Sequence, residues 1–344
     1  MKKYLCLFTF ISWLASAQDV HFSQVQESPL WLNPANTGFF SGYFRAVANY
    51  RNQWASMGNP YQTMSISVDA ATLKSFKRKS YMGIGLFVFN DRAGVAKIGT
   101  TQVQLNISAI LKSGKNSKLS GGVNVGYSQN SANYAALTYG NQYTGKDLDQ
   151  SIPSGEAVSY RSFVNVDVGA GVNYEYSTAK IDMTHDDIFS IKFGAAVHHI
   201  NRPTQAFSTG SSYQLPMRFV GNVQARFDIK ETKISVLPSL IYIRQATAQE
   251  INVGAHVRYR FKNDTKITGF ITETGLNVGV YYRVNDAIIP QVNLDMGKYA
   301  IGLSYDINIS KYRQASKSQG GFEIYLKFIS LSNSLLKRSR EHGL

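Results

Sequence analysis

Residues 165–176 read Asn-Val-Asp-Val-Gly-Ala-Gly-Val-Asn-Tyr-Glu-Tyr, polar or small and apolar in strict turn. Successive side chains of an extended strand point to opposite sides of its sheet. Val166, Val168, Ala170, Val172, Tyr174 and Tyr176 therefore share one face, and Asn165, Asp167, Gly169, Gly171, Asn173 and Glu175 the other. The stretch is long enough for a tilted strand to cross a bilayer, which takes about 9–11 residues. Its apolar face then meets lipid and its polar face an interior.

The pattern recurs. Val103, Leu105, Ile107 and Ala109 alternate with Gln102, Gln104, Asn106 and Ser108. Ile251, Val253, Ala255, Val257, Tyr259 and Phe261 alternate with Asn252, Gly254, His256, Arg258 and Arg260, and Ile301 to Ser310 repeats the theme. Strands are predicted at 43–51, 61–70, 80–90, 99–111, 118–130, 162–176, 188–200, 217–229, 232–244, 249–261, 275–284, 286–296, 298–309 and 320–330, with an extension or a further short strand in 264–274. Fourteen is an even number, as in closed antiparallel bacterial barrels. Long connections at 131–161 and 201–216 fall on one end, tight turns at Lys230-Glu231-Thr232 and Gly297-Lys298 on the other, the usual outside–periplasm asymmetry. Pro238 and Pro290 cannot donate to a ladder and predict bulges or irregular pairing.

An Arg facing lipid at mid-bilayer costs about 2–4 kcal/mol, so Arg218, Arg226, Arg258 and Arg260 are expected in the lumen or near an interface. With Asp228, Asp295 and Asp306 they are expected to form paired ladders, in an interior that also suits an anionic guest.

The ends and the composition agree with export. Lys2-Lys3, the apolar run Tyr4–Leu14 and Ala15-Ser16-Ala17 read as a signal peptide over residues 1–17. The single cysteine, Cys6, lies inside it, which excludes a disulfide framework or thiolate chemistry in the remainder. No run approaches the roughly 18 apolar residues of a membrane helix. Charged residues make up 17% of the chain, below the roughly 25% of soluble domains, while 21 Tyr and 19 Phe suit interfacial girdles. The net charge is +14, but the basic residues are scattered over turns and alternate strand positions. That argues for lipid headgroups or acidic partners and against nucleic acid.

Residues 18–40 are too irregular for a spanning strand and are expected to plug or cap the barrel; 41–330 form the barrel and 331–344 a basic tail. No metal site, cofactor site or catalytic constellation is expected. His198 and His199 are neighbours on one strand and should face opposite sides. His185-Asp186-Asp187 and the loop residues Asp147 and Asp149 lack a ligand pattern. No nucleophile elbow, phosphate loop, H-E-x-x-H or dinucleotide fingerprint occurs.

One resemblance goes further. Gln18-Asp19-Val20-His21-Phe22-Ser23-Gln24, Pro29-Leu30-Trp31-Leu32-Asn33-Pro34-Ala35, Thr37-Gly38, Tyr50-Arg51-Asn52-Gln53-Trp54, Gly83-Ile84-Gly85 with Asn90-Asp91-Arg92, and Gly302-Leu303-Ser304-Tyr305-Asp306 with Ser310-Lys311 closely resemble, in order, the PorP/SprF family of type IX secretion outer-membrane proteins. The resemblance implies a fourteen-stranded, FadL-like outer-membrane barrel that is not an enzyme. It would act as a scaffold for secretion or surface attachment of a partner adhesin bearing a type IX C-terminal signal, together with other secretion or gliding components. The alternative is a passive or gated transporter for small or hydrophobic solutes; an outer-membrane lipase is a distant third. Phe22, Ser23, Gln24, Asn33, Pro34, Gly38, Tyr50, Arg51, Asn52, Gln53, Trp54, Asn90, Asp91, Tyr305 and Asp306 are the expected plug or partner contacts. Trp54 is read chiefly as an interface anchor with Arg51 at the rim. The basic tail after Phe328 departs from the family's usual ending on the last strand.

Overall fold

The computed structural model describes residues 19–330 except 56–59, 75–78, 134–136, 156–161, 179–187, 209–210, 263–273 and 312. The expected signal peptide, His185-Asp186-Asp187, nearly all of 264–274 and the expected basic tail therefore lie outside the described residues.

Fourteen antiparallel strands close into one barrel, and two more form a small hairpin in a loop. In chain order they are β1 (Phe44–Gln53), β2 (Tyr61–Thr72), β3 (Ser80–Ala93), β4 (Ile98–Lys112), β5 (Ser117–Ser131), β6 (Phe163–Ser177) and β7 (Phe189–His198). After the hairpin β8 (Thr204–Ser208) and β9 (Ser211–Gln214) come β10 (Arg218–Asp228), β11 (Ile234–Gln245) and β12 (Ala248–Lys262). The circuit ends with β13 (Thr274–Arg283), β14 (Ala287–Met296), β15 (Tyr299–Asn308) and β16 (Gln319–Ser330). Closure is the ladder between β1 and β16, which runs unbroken from Phe44 opposite Ser330 to Gln53 opposite Gly321. The hairpin was not expected: its short polar segments carry too little alternation to stand out within the 201–216 loop.

Alternation sorts every strand. On β6, Val166 and Val172 are more than half exposed, while Asn165, Asp167 and Asn173 are buried. Leu105, Val253, Leu303 and Ile307 face outward, and their neighbours Asn106, Asn252, Ser304 and Asp306 are buried inside. The molecule is inverted relative to a water-soluble sheet: the greasy side chains lie outside. Aromatic rings band the exterior at the end where β1 begins. Phe328 there lies 5.2 Å from Tyr299 and 6.3 Å from Phe44, and Phe189 lies 5.3 Å from Phe227. Such girdles mark membrane interfaces.

The prolines make the pairing irregular, as expected, without a bulge of their own. Pro238 keeps register with Ala255 on β12, and Pro290 with Val280 on β13. Pairing is interrupted only on the other flank, opposite Ala225–Arg226 and Tyr305–Asp306, and resumes in the same register. The missing N–H thus opens a gap without a slip. In the barrel, register shifts fall on other ladders, at Arg260–Lys262 between β12 and β13 and at Asp306–Ile307 between β15 and β16.

Candidate functional site: a plug threaded through the lumen

Residues 19–40 run down the inside of the barrel. They start beside His199, Gln245 and Arg218, at the end bearing the 131–162 and 199–217 connections, and finish beside Ala70 at the opposite end. Short turns break the segment into a 3₁₀ turn at Val25–Glu27, a single α-turn at Pro29–Leu32 and a 3₁₀ turn at Pro34–Asn36. Pro29 and Pro34 stand at the first turns, where the missing N–H has no partner to lose.

Its middle is apolar. Phe22, Val25, Leu30, Trp31 and Leu32 cluster with Phe87, Phe89, Ala196, Val220, Ile241 and Ile243 on the inner wall, and Phe22 meets Trp31 edge to face at 5.5 Å. The apolar inward positions of β3, β7, β10 and β11, which break the polar interior, are thereby explained.

The far end is a seat built from close contacts. Asn33 donates from Nδ2 to the Val172 and Ala195 carbonyls at 3.0 and 3.2 Å, while its Oδ1 accepts from Ala35 N–H at 2.8 Å. Ser120 donates to Ala35 O, and Ser108 to Thr37 O. The plug backbone lies so near the wall that a Cβ at Gly83 would overlap the Thr37 carbonyl, and one at Gly171 the Asn33 amide. Gly38, at φ +67°, turns its N–H to Asp69 Oδ2 at 2.7 Å. Arg45 grips the same carboxylate through Nε and Nη2 and the Asn36 carbonyl through Nη2.

The near end is an arm held by charge. Glu323 accepts the Ser23 and Gln24 N–H groups at 2.6 and 3.1 Å. Arg51 donates to His21 O at 2.7 Å and to Asp306 at 3.1 Å, and Arg283 donates to Asp306 at 2.8 Å. Asp19 accepts from Arg218 at 3.0 Å and meets His199 Nε2 at 2.6 Å, whose Nδ1 is 2.8 Å from Asp167. Burial disfavours a charged His199, yet Asp19 and Asp167 outweigh it and hold the imidazole up at about 9. Burial likewise works against the Asp19 carboxylate, but His199 and Arg218 keep it well below the usual range. His21 is pushed down by burial and by Arg51 and Arg283, which leaves a neutral ring. Arg218 also lies over the Trp31 ring at 4.3 Å, joining the charged arm to the apolar middle.

Above the arm the barrel opens into a polar cavity of about 560 Å³, whose walls include Arg51, Gln53, Trp54, Asp91, Glu250 and Arg283. A side chamber of about 180 Å³ continues over Asp167 and His199.

The residues singled out in the sequence divide. Phe22, Ser23, Gln24, Asn33, Pro34 and Gly38 are buried in the plug. Arg51 is 3% exposed and lies in the lumen rather than at the rim, because odd positions of β1 face inward. With Asp306 it forms the arm's binding site, and Gln53 and Asp91 line the cavity, Asp91 accepting from Thr63 at 2.6 Å. Trp54 follows β1 at φ +58° and packs edge to face on Tyr61 at 5.2 Å, beside the cavity. Tyr50, Asn52, Asn90 and Tyr305 take the outward parity of their strands and do not join the site; Asn90 donates to Thr101, and Asn52 to the Tyr50 hydroxyl.

His198 and His199 do not face opposite sides. His199 lies just past β7 at φ +57°, which turns its ring inward beside His198, and both are buried. Among the described residues no group of three or more candidate ligands could hold a metal. Asp149 is an exposed loop residue that accepts from Ser151. The charge ladders are present as Arg226–Asp228 at 2.7 Å, Arg258–Asp295 at 3.4 Å and Arg260–Asp228 at 3.8 Å. Arg218 and Asp306 instead serve the plug.

Asp69, His199, Arg283 and Glu323 are contacts that the sequence reading missed, and Asp19, quoted in the resembling run, was not among the expected contacts. Each charge except Asp19 stands on the inner face or just past a strand end. The available signal was a charge on an inward position: Glu323 faces only Ser304 across its own hairpin, whereas Asp69 stands opposite Arg45 and Arg283 meets Asp286 on theirs.

The family described as type IX secretion system membrane protein PorP/SprF matches residues 14–328. Among solved structures, the chain is similar to the toluene transporter TbuX of Ralstonia pickettii, with 10% identity, TM-score 0.47, and 88% of this chain and 94% of that one covered. For the toluene transporter TodX of P. putida the values are 10%, 0.45, 88% and 93%; for the translocator domain of the autotransporter NalP of Neisseria meningitidis they are 9%, 0.42, 88% and 93%. No curated protein matches.

Proposed function

The chain belongs to the PorP/SprF family of type IX secretion system membrane proteins, and from that premise we propose that it is a closed docking barrel of the outer membrane. It serves secretion or surface attachment of a partner protein and carries out no chemistry of its own. The signal at residues 1–17 is removed on export, and the end with the long 131–162 and 199–217 connections faces the outside.

The observation that supports this reading is the plug. Its seat is hydrogen-bonded to β2, β4, β5, β6 and β7, and its arm to β1, β10, β14 and β16, so the segment is fixed around most of the circumference. A wall–plug interface of that extent suits a scaffold. The outward cavity, with Trp54, Gln53 and Asp91 on its wall, is the surface offered to the partner's type IX C-terminal signal. Other secretion components meet the opposite end, and the apolar exterior meets lipid.

Gene deletion tests the reading through the surface proteome. Loss of one or a few surface proteins from the outer membrane and medium, and their recovery with the barrel from detergent extracts, is the expected outcome. An unchanged secretome would overturn it. A gated transporter is the second reading, favoured by one feature: the arm is held by titratable charges rather than by the tight packing of the seat.

A further inference from the structure

The basic residues at the end opposite the cavity are not scattered once the strands are folded. Lys112 on β4 stands directly opposite Lys118 on β5, Lys118 opposite Glu175 on β6, and Glu175 opposite Lys192 on β7. All four have the inward parity of their strands, since Ser108, Ser120, Asn173 and His198 on the same faces are buried. They form one lateral row inside the mouth, three cations to one carboxylate. Like charges directly opposite on one face destabilise a sheet pair. Such a local conflict kept in an otherwise consistent barrel points to function.

Among the described residues, nearby charges add to the excess of cations. Glu175 meets Lys118 at 3.4 Å, and Lys192 is held by the neutral Asn36 amide oxygen over the Phe39 ring at 5.1 Å. Lys74, next to the row, donates to the Phe40 and Gly42 carbonyls; burial and then Lys118 and Lys112 pull its ammonium down to about 8. Across the mouth, Arg226 and Arg260 share Asp228. The cavity end differs: there Asp19, Asp167, Asp306 and Glu323 balance Arg51, Arg218, His199 and Arg283.

We propose that this inward-facing row is a docking ring for an acidic polypeptide segment of a periplasmic partner, inserted into the mouth beneath the plug. The orientation rests on the reading above. Inward parity favours a polypeptide over phospholipid, because headgroups gather around the outer rim of a barrel while these ammonium groups face its axis. The chain's own tail carries Lys337, Arg338 and Arg340, the same sign as the row, and is no substitute occupant.

The test is binding of a fluorescein-labelled peptide of about 20 Glu and Gly residues, long enough to span the row, to the full chain in zwitterionic-lipid nanodiscs, where both ends are open. Binding should weaken steeply with salt. It should fall by about tenfold in Lys112→Gln/Lys118→Gln, rise in Glu175→Gln, and stay unchanged in Lys97→Gln/Lys317→Gln at the cavity end. Heat-modifiable gel migration confirms that each variant is a closed barrel. Absence of binding, or equal loss with the cavity-end variant, overturns the proposal. So does a dependence on these lysines that appears only with anionic lipid, which would assign them to headgroups. None of these outcomes depends on whether deletion changes the secretome.

Discussion

The two halves of the plug are attached by different physics. From Asn33 to Gly38 the chain is keyed into the wall mainly by shape: its carbonyls lie against glycine positions, neutral donors such as Ser108, Ser120 and Asn33 complete the fit, and the Arg45–Asp69 pair fastens its end at Asn36 and Gly38. From Asp19 to Gln24 it is held by carboxylates, guanidinium groups and an imidazolium. A steric seat tolerates pH and salt but not added volume. A charged arm tolerates volume but answers to pH. On the reading proposed above, the seat is the permanent anchor of the plug, and the arm, lying under the cavity, is the part a partner moves.

The largest expected effect comes from filling the seat. Gly171→Leu or Gly83→Val drives a side chain into Asn33 or the Thr37 carbonyl. Heat-modifiable migration should show loss of the compact barrel or expulsion of the plug to protease. Native migration with a protected N-terminal segment would refute the steric account. Next comes the wall itself. Leu303→Arg places a charge on the lipid face and should cost about 2–4 kcal/mol. Ser304→Asn on the inner face should be far milder, and equal tolerance of the two would reverse the facing assignment.

Third is the arm's charge. Glu323→Ala removes the acceptor of two plug N–H groups beside the buried Arg51. Leaving a buried charge without its partner costs about 3–5 kcal/mol, an upper bound here because Arg51 keeps Asp306. It should free the arm without unseating residues 33–38. Because residues 18–344 contain no cysteine, a Val20→Cys substitution supplies a unique thiol whose labelling reads arm release directly. If Glu323→Ala leaves that thiol as protected as it is with Glu323 in place, the charge clamp is contradicted.

The same label reads pH. The His199 value is raised to about 9, so its contribution is complete below its unfolded value near 6.5 and is lost as pH rises through about 9. The Asp19 value is lowered, so its share is present above its unfolded value of 3.8 and is lost only as pH falls toward the depressed one. Labelling of the introduced thiol should therefore accelerate above about pH 9, and His199→Asn should abolish that step. The smallest effect belongs to the part-exposed Lys327–Glu27 pair, 2.7 Å apart. Glu27→Gln should change stability by no more than about 1 kcal/mol, the scale of solvent-screened pairs.

How much of this was legible in the sequence follows from the range of each interaction. Strand positions and facing come from alternation between near neighbours, and all fourteen barrel strands were placed to within a few residues. The turn conformation at His199 was not, since a positive φ on a non-glycine leaves no mark in the pattern, and so the two imidazoles were assigned to opposite faces. The plug was visible as an irregular, proline-broken segment, but its partners lie far away along the chain. Glu323 is 300 residues from Ser23, and no periodicity links them. Motif residues such as Tyr50 and Tyr305 carried the resemblance, yet they face outward, so resemblance located the family without separating wall from site.

The central claim is that residues 19–40 close the barrel, and conductance of the purified chain in planar bilayers tests it most directly. The intact protein should insert without stable open-channel steps at neutral pH, and Glu323→Ala should produce flicker at most while the seat holds. Steady, porin-sized steps from the intact chain would contradict a lumen filled by its own N-terminal segment.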